Sequence, residues 1–303
     1  MILVRNPRTV ALLLGAFALI GLAGCASATR VASNGAVERA ASAQVHVALT
    51  KQEIGADIHN SNVSAATGGG LIAAFIDLGI EHSRAKKAEV AIVPVRDALL
   101  GYDVGKTFSE ALQAAAEGPA WLKAAKIEVR SAADLGDQKK VLAAATADVV
   151  MTLVTDYKML PDFNGVRVSV QATLRPRSAE LVATAKGNPD GVLFANRFVT
   201  TRNSRAPLMP ATHAGYAAAW AADGGKTIRA ALDEALAELA RMIVWDLKQD
   251  GPAGQALYKA GADSYMFNVV DARGLPVRGF SVRVDSGRSW IRTPSGELHS
   301  VTQ

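Results

Sequence analysis

The chain has 303 residues, 50% hydrophobic and 20% charged, with 33 lysines and arginines against 28 acids and a single cysteine. This composition is that of a folded protein with a sizeable core, not of a disordered chain. One cysteine excludes an internal disulfide or a multi-cysteine metal site, and a net charge of +5 without aromatics interleaved in a dense basic stripe argues against nucleic-acid binding.

At the N-terminus Arg5 and Arg8 precede an apolar run over residues 10–20, followed directly by Leu22-Ala23-Gly24-Cys25. Basic, hydrophobic and small-residue segments in that order read as a secretory signal. The run is shorter than the roughly 20 residues a spanning helix needs, which argues against a permanent transmembrane anchor. The Leu-Ala-Gly-Cys end resembles the lipobox of bacterial lipoproteins. That resemblance covers the first 25 residues and implies removal of residues 1–24 and attachment of acyl chains such as palmitate to Cys25. Ala26 and Ser27 replace the aspartate that marks inner-membrane retention in lipoproteins of the enterobacterial type, so the implied location is the outer membrane, with the globular part in the periplasm. Cleavage would leave 279 of the 303 residues and, with Arg5 and Arg8 gone, lower the charge balance from +5 to +3. Residues 25–43, small and polar with Asn34-Gly35, read as a lipidated tether.

Residues 44–50 alternate as a strand with Val45, Val47 and Leu49 on one face. Beyond a polar turn at 57–62, the segment 65–80 contains Gly68-Gly69-Gly70, Phe75 and Ile76, and a helix begins near the glycines and continues to His82 or Ala85. It is either a buried helix with small residues easing close packing, or a membrane-inserting or oligomer-contacting one, with Phe75 and Ile76 as candidate interface residues. Residues 89–95 read as a buried strand, 97–105 as a loop and 106–116 as a helix using Phe108 and Leu112. Another strand follows at 126–129, then a helix at 137–145 with Asp137 as N-cap, and a strand at 147–155. Alternating strands and helices predict an α/β layer.

The rhythm then changes. Val166, Val168, Val170, Ala172 and Leu174 alternate with Arg167, Ser169, Gln171, Thr173 and Arg175, a half-buried strand that can pair antiparallel with the strand from Val149 across a turn at 162–165. A further strand at 192–200 makes the sheet mixed. Over 227–247 Ile228, Leu232, Ala235, Leu239 and Met242 form a helical stripe, with Arg229, Glu234, Glu238 and Arg241 on the polar side. Tyr216 and Trp220, four apart, share a helical face and are core or interface anchors. Gly251-Pro252 breaks the helix, and strands at 265–270, 277–284 and 289–292 follow, with Trp290 and Phe280 as a small core and Trp290 as a candidate interface residue. The fold class expected is α/β, a mixed β-sheet covered by helices over 44–249, with a small C-terminal β segment over 250–303.

The segments Ala91-Ile92-Val93-Pro94-Val95, the helix with Phe108 and Leu112, and Ala147-Asp148-Val149-Val150-Met151 leading into a hairpin resemble the α/β domains of bacterial envelope-secretion lipoproteins, including the curli secretion and PelC exopolysaccharide families. The resemblance implies a ring-like homo-oligomer or contacts with envelope proteins. No long amphipathic strand pair matches the curli channel's pore hairpins, so pore formation does not carry over.

The five histidines, His46, His59, His82, His213 and His299, form no HExxH pair. Asp57, His59, Asp77 and His82 are the nearest approach to a ligand set, and polar loop packing is their ordinary role. No Gly-x-Ser-x-Gly elbow marks a hydrolase nucleophile, and the glycine triplet has neither the phosphate-loop ending nor the dinucleotide spacing. Tyr102-Asp103 and Asp156-Tyr157 are candidate pocket residues near the strand ends. The expectation is therefore a non-enzymatic accessory protein, without metal or cofactor, held to the membrane by Cys25; a periplasmic hydrolase and a cell-wall or small-molecule binding lipoprotein are the alternatives.

Overall fold

The computed structural model describes residues 30–33, 35–59, 71–115, 119–203, 212–259, 266–270, 276–285 and 287–302. Its strands are β1 Ala43–Leu49, β2 Gly55–Ala56, β3 Lys126–Ser131, β4 Val149–Met159, β5 Gly165–Pro176, β6 Phe194–Asn203, β7 Met266–Val270, β8 Pro276–Asp285, β9 Arg288–Arg292 and β10 Leu298–Thr302. Its helices are α1 Leu71–Ala91, α2 Val93–Ala98, α3 Val104–Ala114, α4 Ala120–Lys123, α5 Gln138–Ala144, α6 Ala179–Ala185, α7 His213–Lys248 and α8 Pro252–Lys259. The strands join in one sheet of order β3-β1-β4-β5-β6-β10-β9-β8-β7, with β2 beside β4. β1 runs parallel to β3 and β4, and β10 parallel to β6, while the other neighbours along the main path are antiparallel. The fold is α/β: a mixed sheet flanked by helices, extended by the short C-terminal strands β7–β9.

Period-two alternation decides which side chains meet the helices. On one face Val45, Val47, Met151, Leu153, Val168 and Val170 are fully buried, in one cluster with Phe108 and Leu112 of α3 and Leu232 and Leu239 of α7. Removing each such leucine from water stabilises the fold by roughly 2 kcal/mol. On the other face α5 covers one corner, where Val141 meets Ala48 and Val150. Asp137 starts α5 by accepting the Lys140 amide at 3.1 Å.

Two features fix α7 over the sheet. The helix is interrupted at Asp223, Gly224 and Gly225, whose φ values of 55°, 66° and 77° are left-handed. A Cβ on Gly225 would lie 2.7 Å from the Ala98 carbonyl oxygen, so glycine is needed where α7 touches the end of α2. One turn on, the Arg229 guanidinium donates to the carbonyls of Ala98 at 2.8 Å and Leu100 at 3.1 Å, occupying acceptors that the end of α2 leaves open.

Residues 89–95, expected as a strand, are the end of α1 and the start of α2. Short apolar runs do not separate strand from helix by periodicity. Here Ala88, Ile92 and Val95, at helical spacing, are buried, while Val90 and Val93 are 70% and 46% exposed. Pro94 falls in the first turn of α2, where its missing N–H costs no hydrogen bond. The Ala91–Val95 segment that carried part of the resemblance to secretion lipoproteins is thus helical.

Glu238 is also corrected: it is fully buried, not on the polar side of α7. Trp290 Nε1 donates to its carboxylate at 2.8 Å, and Ser300 and Arg241 also bond to it. Burial pushes its pKa up, but these donors and the Arg241 charge outweigh burial and hold it below the ordinary value. The residue ties β9 and β10 to the main helix.

Residues 30–33 and 35–43, expected to lie in a tether, are tied to the body. Val31 exchanges backbone hydrogen bonds with Ala195 at 2.8 and 3.1 Å, and Ala36 and Val37 are fully buried. The buried Asp250 carboxylate accepts the amides of Ser33 at 2.6 Å, Gly35 at 2.9 Å and Val37 at 3.0 Å. Composition alone does not show this, because Asp250 lies more than 200 residues along the chain from the amides it accepts.

Candidate functional site

The loop at residues 50–54, leaving β1, separates two concavities near the carboxyl end of β4. Because β4 alternates, Asp156 and Lys158 serve one and Tyr157 the other.

The first is a polar groove of about 440 Å³ on the sheet face away from α7. Register sets Asp156 beside Ser169, and Lys158 beside Arg167. Lys158 Nζ lies 2.9 Å from Asp156, and Asp57 faces Arg167 at 3.0 Å and Lys158 at 3.8 Å. Thr50 Oγ1 donates to Asp156 at 2.8 Å. Farther across the sheet Arg197 and His299 reach Glu297 at 3.7 and 3.3 Å. Burial raises the Asp57 pKa, and the Arg167 and Lys158 cations only partly offset that rise. The groove presents donors and acceptors of both signs across three strands, with Gln171 exposed at its centre.

The second is a cleft of about 230 Å³ between α2, the following turn and β4, bordered by Ile54, Arg96, Leu100, Tyr102 and Tyr157. Tyr102 donates to Asp233 at 2.6 Å and Tyr157 to the Gln52 carbonyl at 2.7 Å. Burial pushes the Tyr157 pKa up to about 12, and burial together with Asp233 raises that of Tyr102. Both phenols stay protonated near neutral pH and act as structural donors. Arg96 is likewise engaged, with Glu89 at 2.8 Å and the Ile54 carbonyl at 3.1 Å. The two tyrosines expected near the strand ends do share this cleft. Their neighbours do not, since Asp156 lines the groove and Asp103 caps α3 through the Lys106 amide at 2.9 Å.

The other expected site residues fall elsewhere. Cys25 and Gly68-Gly69-Gly70 lie outside the described residues, as do the side chains of Phe75 and Ile76 within α1. Tyr216, Trp220 and Trp290 are 7%, 3% and 1% exposed. Of the core and interface alternatives, these positions are core within the chain: Trp220 donates to the Phe163 carbonyl and Trp290 to Glu238, both at 2.8 Å. Among Asp57, His59, Asp77 and His82, Asp57 is held by Arg167, while His59 Nε2 sits 2.7 Å from Asp162. Among the described residues no three histidine, cysteine, aspartate or glutamate side chains gather as a metal site requires, and no helix is long and apolar enough to cross a membrane.

The groove itself is not legible in the sequence. Its signal was present in the alternating Arg167, Ser169 and Gln171, but which charges on β4 and β6 stand beside them depends on register. No protein-family model matches the chain, and no curated protein or solved structure matches it.

Proposed function

We propose that this chain is a non-catalytic bacterial lipoprotein, anchored through Cys25 to the periplasmic face of the outer membrane, that supports envelope assembly, transport or secretion by holding a protein partner. The observation that carries the reading is the polar groove around Lys158, Gln171 and Arg197, beyond the corner that α5 covers, whose described lining comes from strands and a loop and not from a helix. Its paired charges favour a protein surface of complementary pattern, either an envelope protein or a second copy of the chain. The acyl chains would localise the body, and the sheet would supply the contact.

The lipobox-like Leu22-Ala23-Gly24-Cys25 supports the anchor, and fractionation of cells carrying Cys25→Ala tests it. The substituted protein should leave the membrane fraction after export, whereas continued membrane association contradicts the anchor. Native mass measurement of the unsubstituted protein in detergent should give an oligomer or a stable partner complex. A strict monomer from which crosslinking recovers no partner contradicts the scaffold.

A further inference from the structure

The last turns of α7 and the strands β8 and β9 enclose a third cleft, of about 340 Å³, lined by Arg241, Trp245, Lys248, Arg283 and Trp290. Among the described residues its charged lining is three cations, drawn from a helix and a strand. Lys248 alone would be an ordinary cation at a helix C-terminus. Arg283 comes from β8, however, with its guanidinium carbon 4.9 Å from the Trp290 ring centroid. Trp245 meets Trp290 edge-on at 5.5 Å and is half-buried at the cleft wall, while Lys248, Arg283 and Arg241 are exposed. Arg241 is bonded to the buried Glu238, which neutralises one of the three charges and leaves an excess of positive charge.

The N-terminal segment fixes where this cleft stands. Arg30 bonds to Asp246 at 2.9 Å and to the Gln249 carbonyl at 3.0 Å, on the same final turns of α7 that carry Trp245 and Lys248. Five residue steps separate Cys25 from Arg30, and at most about 18 Å of extended chain spans them. If Cys25 is acylated, as the proposed function holds, the end of α7 cannot stand far from the bilayer surface.

We propose that this cleft binds a phosphate group through Lys248, Arg283 and Arg241 against the Trp245 ring, and that in the anchored protein this group is the headgroup phosphate of an anionic membrane lipid. Guanidinium groups match phosphate oxygens in a fixed fork, and indole beside basic side chains is the chemistry of a membrane–water interface. The headgroup would hold the body in one orientation and leave the polar sheet face for a partner.

The test uses the full chain in neutral detergent, titrated with short-chain phosphatidylglycerol and separately with inorganic phosphate, read by tryptophan fluorescence. The lipid should give a saturable change that Trp245→Phe largely removes and that Lys248→Gln with Arg283→Gln weakens by about tenfold or more. Arg283→Lys should restore part of it, and unchanged circular dichroism should show that the variants fold. Equal affinity for inorganic phosphate would keep the phosphate site and overturn the lipid assignment. No saturable change with either ligand, or full binding by the double variant, would overturn the site. Cys25→Ala should bind as the unsubstituted chain does in this assay, so failure of the anchor and failure of the cleft give separate results.

Discussion

On one face of the sheet Val45, Met151, Leu153 and Val168 lie in a cluster with Phe108 and Leu232, whereas on the other the same strands carry Asp156, Lys158, Arg167 and Gln171. Successive residues of one strand therefore do opposite work. The covered face derives its stability from apolar area and close packing. The polar face carries ion pairs such as Lys158–Asp156, partly exposed and individually worth little in water. The contrast separates two kinds of residue: those whose loss unfolds the body, and those whose loss leaves the body folded and, on the proposed reading, weakens a partner contact.

Substitution on the covered side should have the largest effect. Leu232 is fully buried, and Leu232→Ala should lower the unfolding free energy by about 2–5 kcal/mol in denaturant titration. A loss below about 0.5 kcal/mol, the size expected at an exposed site, would break the distinction between faces. Asp250→Ala comes next. It removes the acceptor for the Ser33, Gly35 and Val37 amides and should cost roughly 1.5–3 kcal/mol. Hydrogen exchange should then show the Val37 amide opening before the β4–β5 core; protection equal to that of the unsubstituted chain would contradict the role given to Asp250.

The third effect is a pH dependence at the sheet's other side. His46 on β1 is 1% exposed, with Nδ1 3.8 Å from Glu128. Burial and the Arg130 charge lower its pKa below the ordinary 6.5, against a smaller upward pull from Glu128. The unfolded chain thus takes up the proton first. Stability should fall as pH drops below 6.5 and stop falling from this source once folded His46 is protonated. His46→Gln should flatten that part of the stability curve, and an unchanged slope would remove His46 as its cause.

Alternation made β5 and its hairpin with β4 legible in the sequence, and the stripe from Ile228 to Met242 marked the second half of α7. Asp137 was readable as an N-cap because its action is local. What escaped depends on partners distant in sequence. Glu238 sits among polar neighbours in the helical pattern, and its burial becomes clear only when Trp290 and Ser300 are brought against it. Ser33, Gly35 and Val37 read as part of a tether until Asp250 gathers their amides. The groove is an intermediate case: β5 announced its polar side, while the facing ion pairs awaited the register.

If the polar sheet face is the working surface of the anchored protein, as proposed, photo-crosslinking in intact cells will capture what it touches. A photoreactive side chain at Gln171, exposed in the groove, is to be compared with one at Lys123, exposed on α4. A discrete adduct is expected from Gln171, with an envelope protein or a second copy of the chain, and none from Lys123. Equal adducts from both positions, or adducts from Lys123 alone, would contradict it.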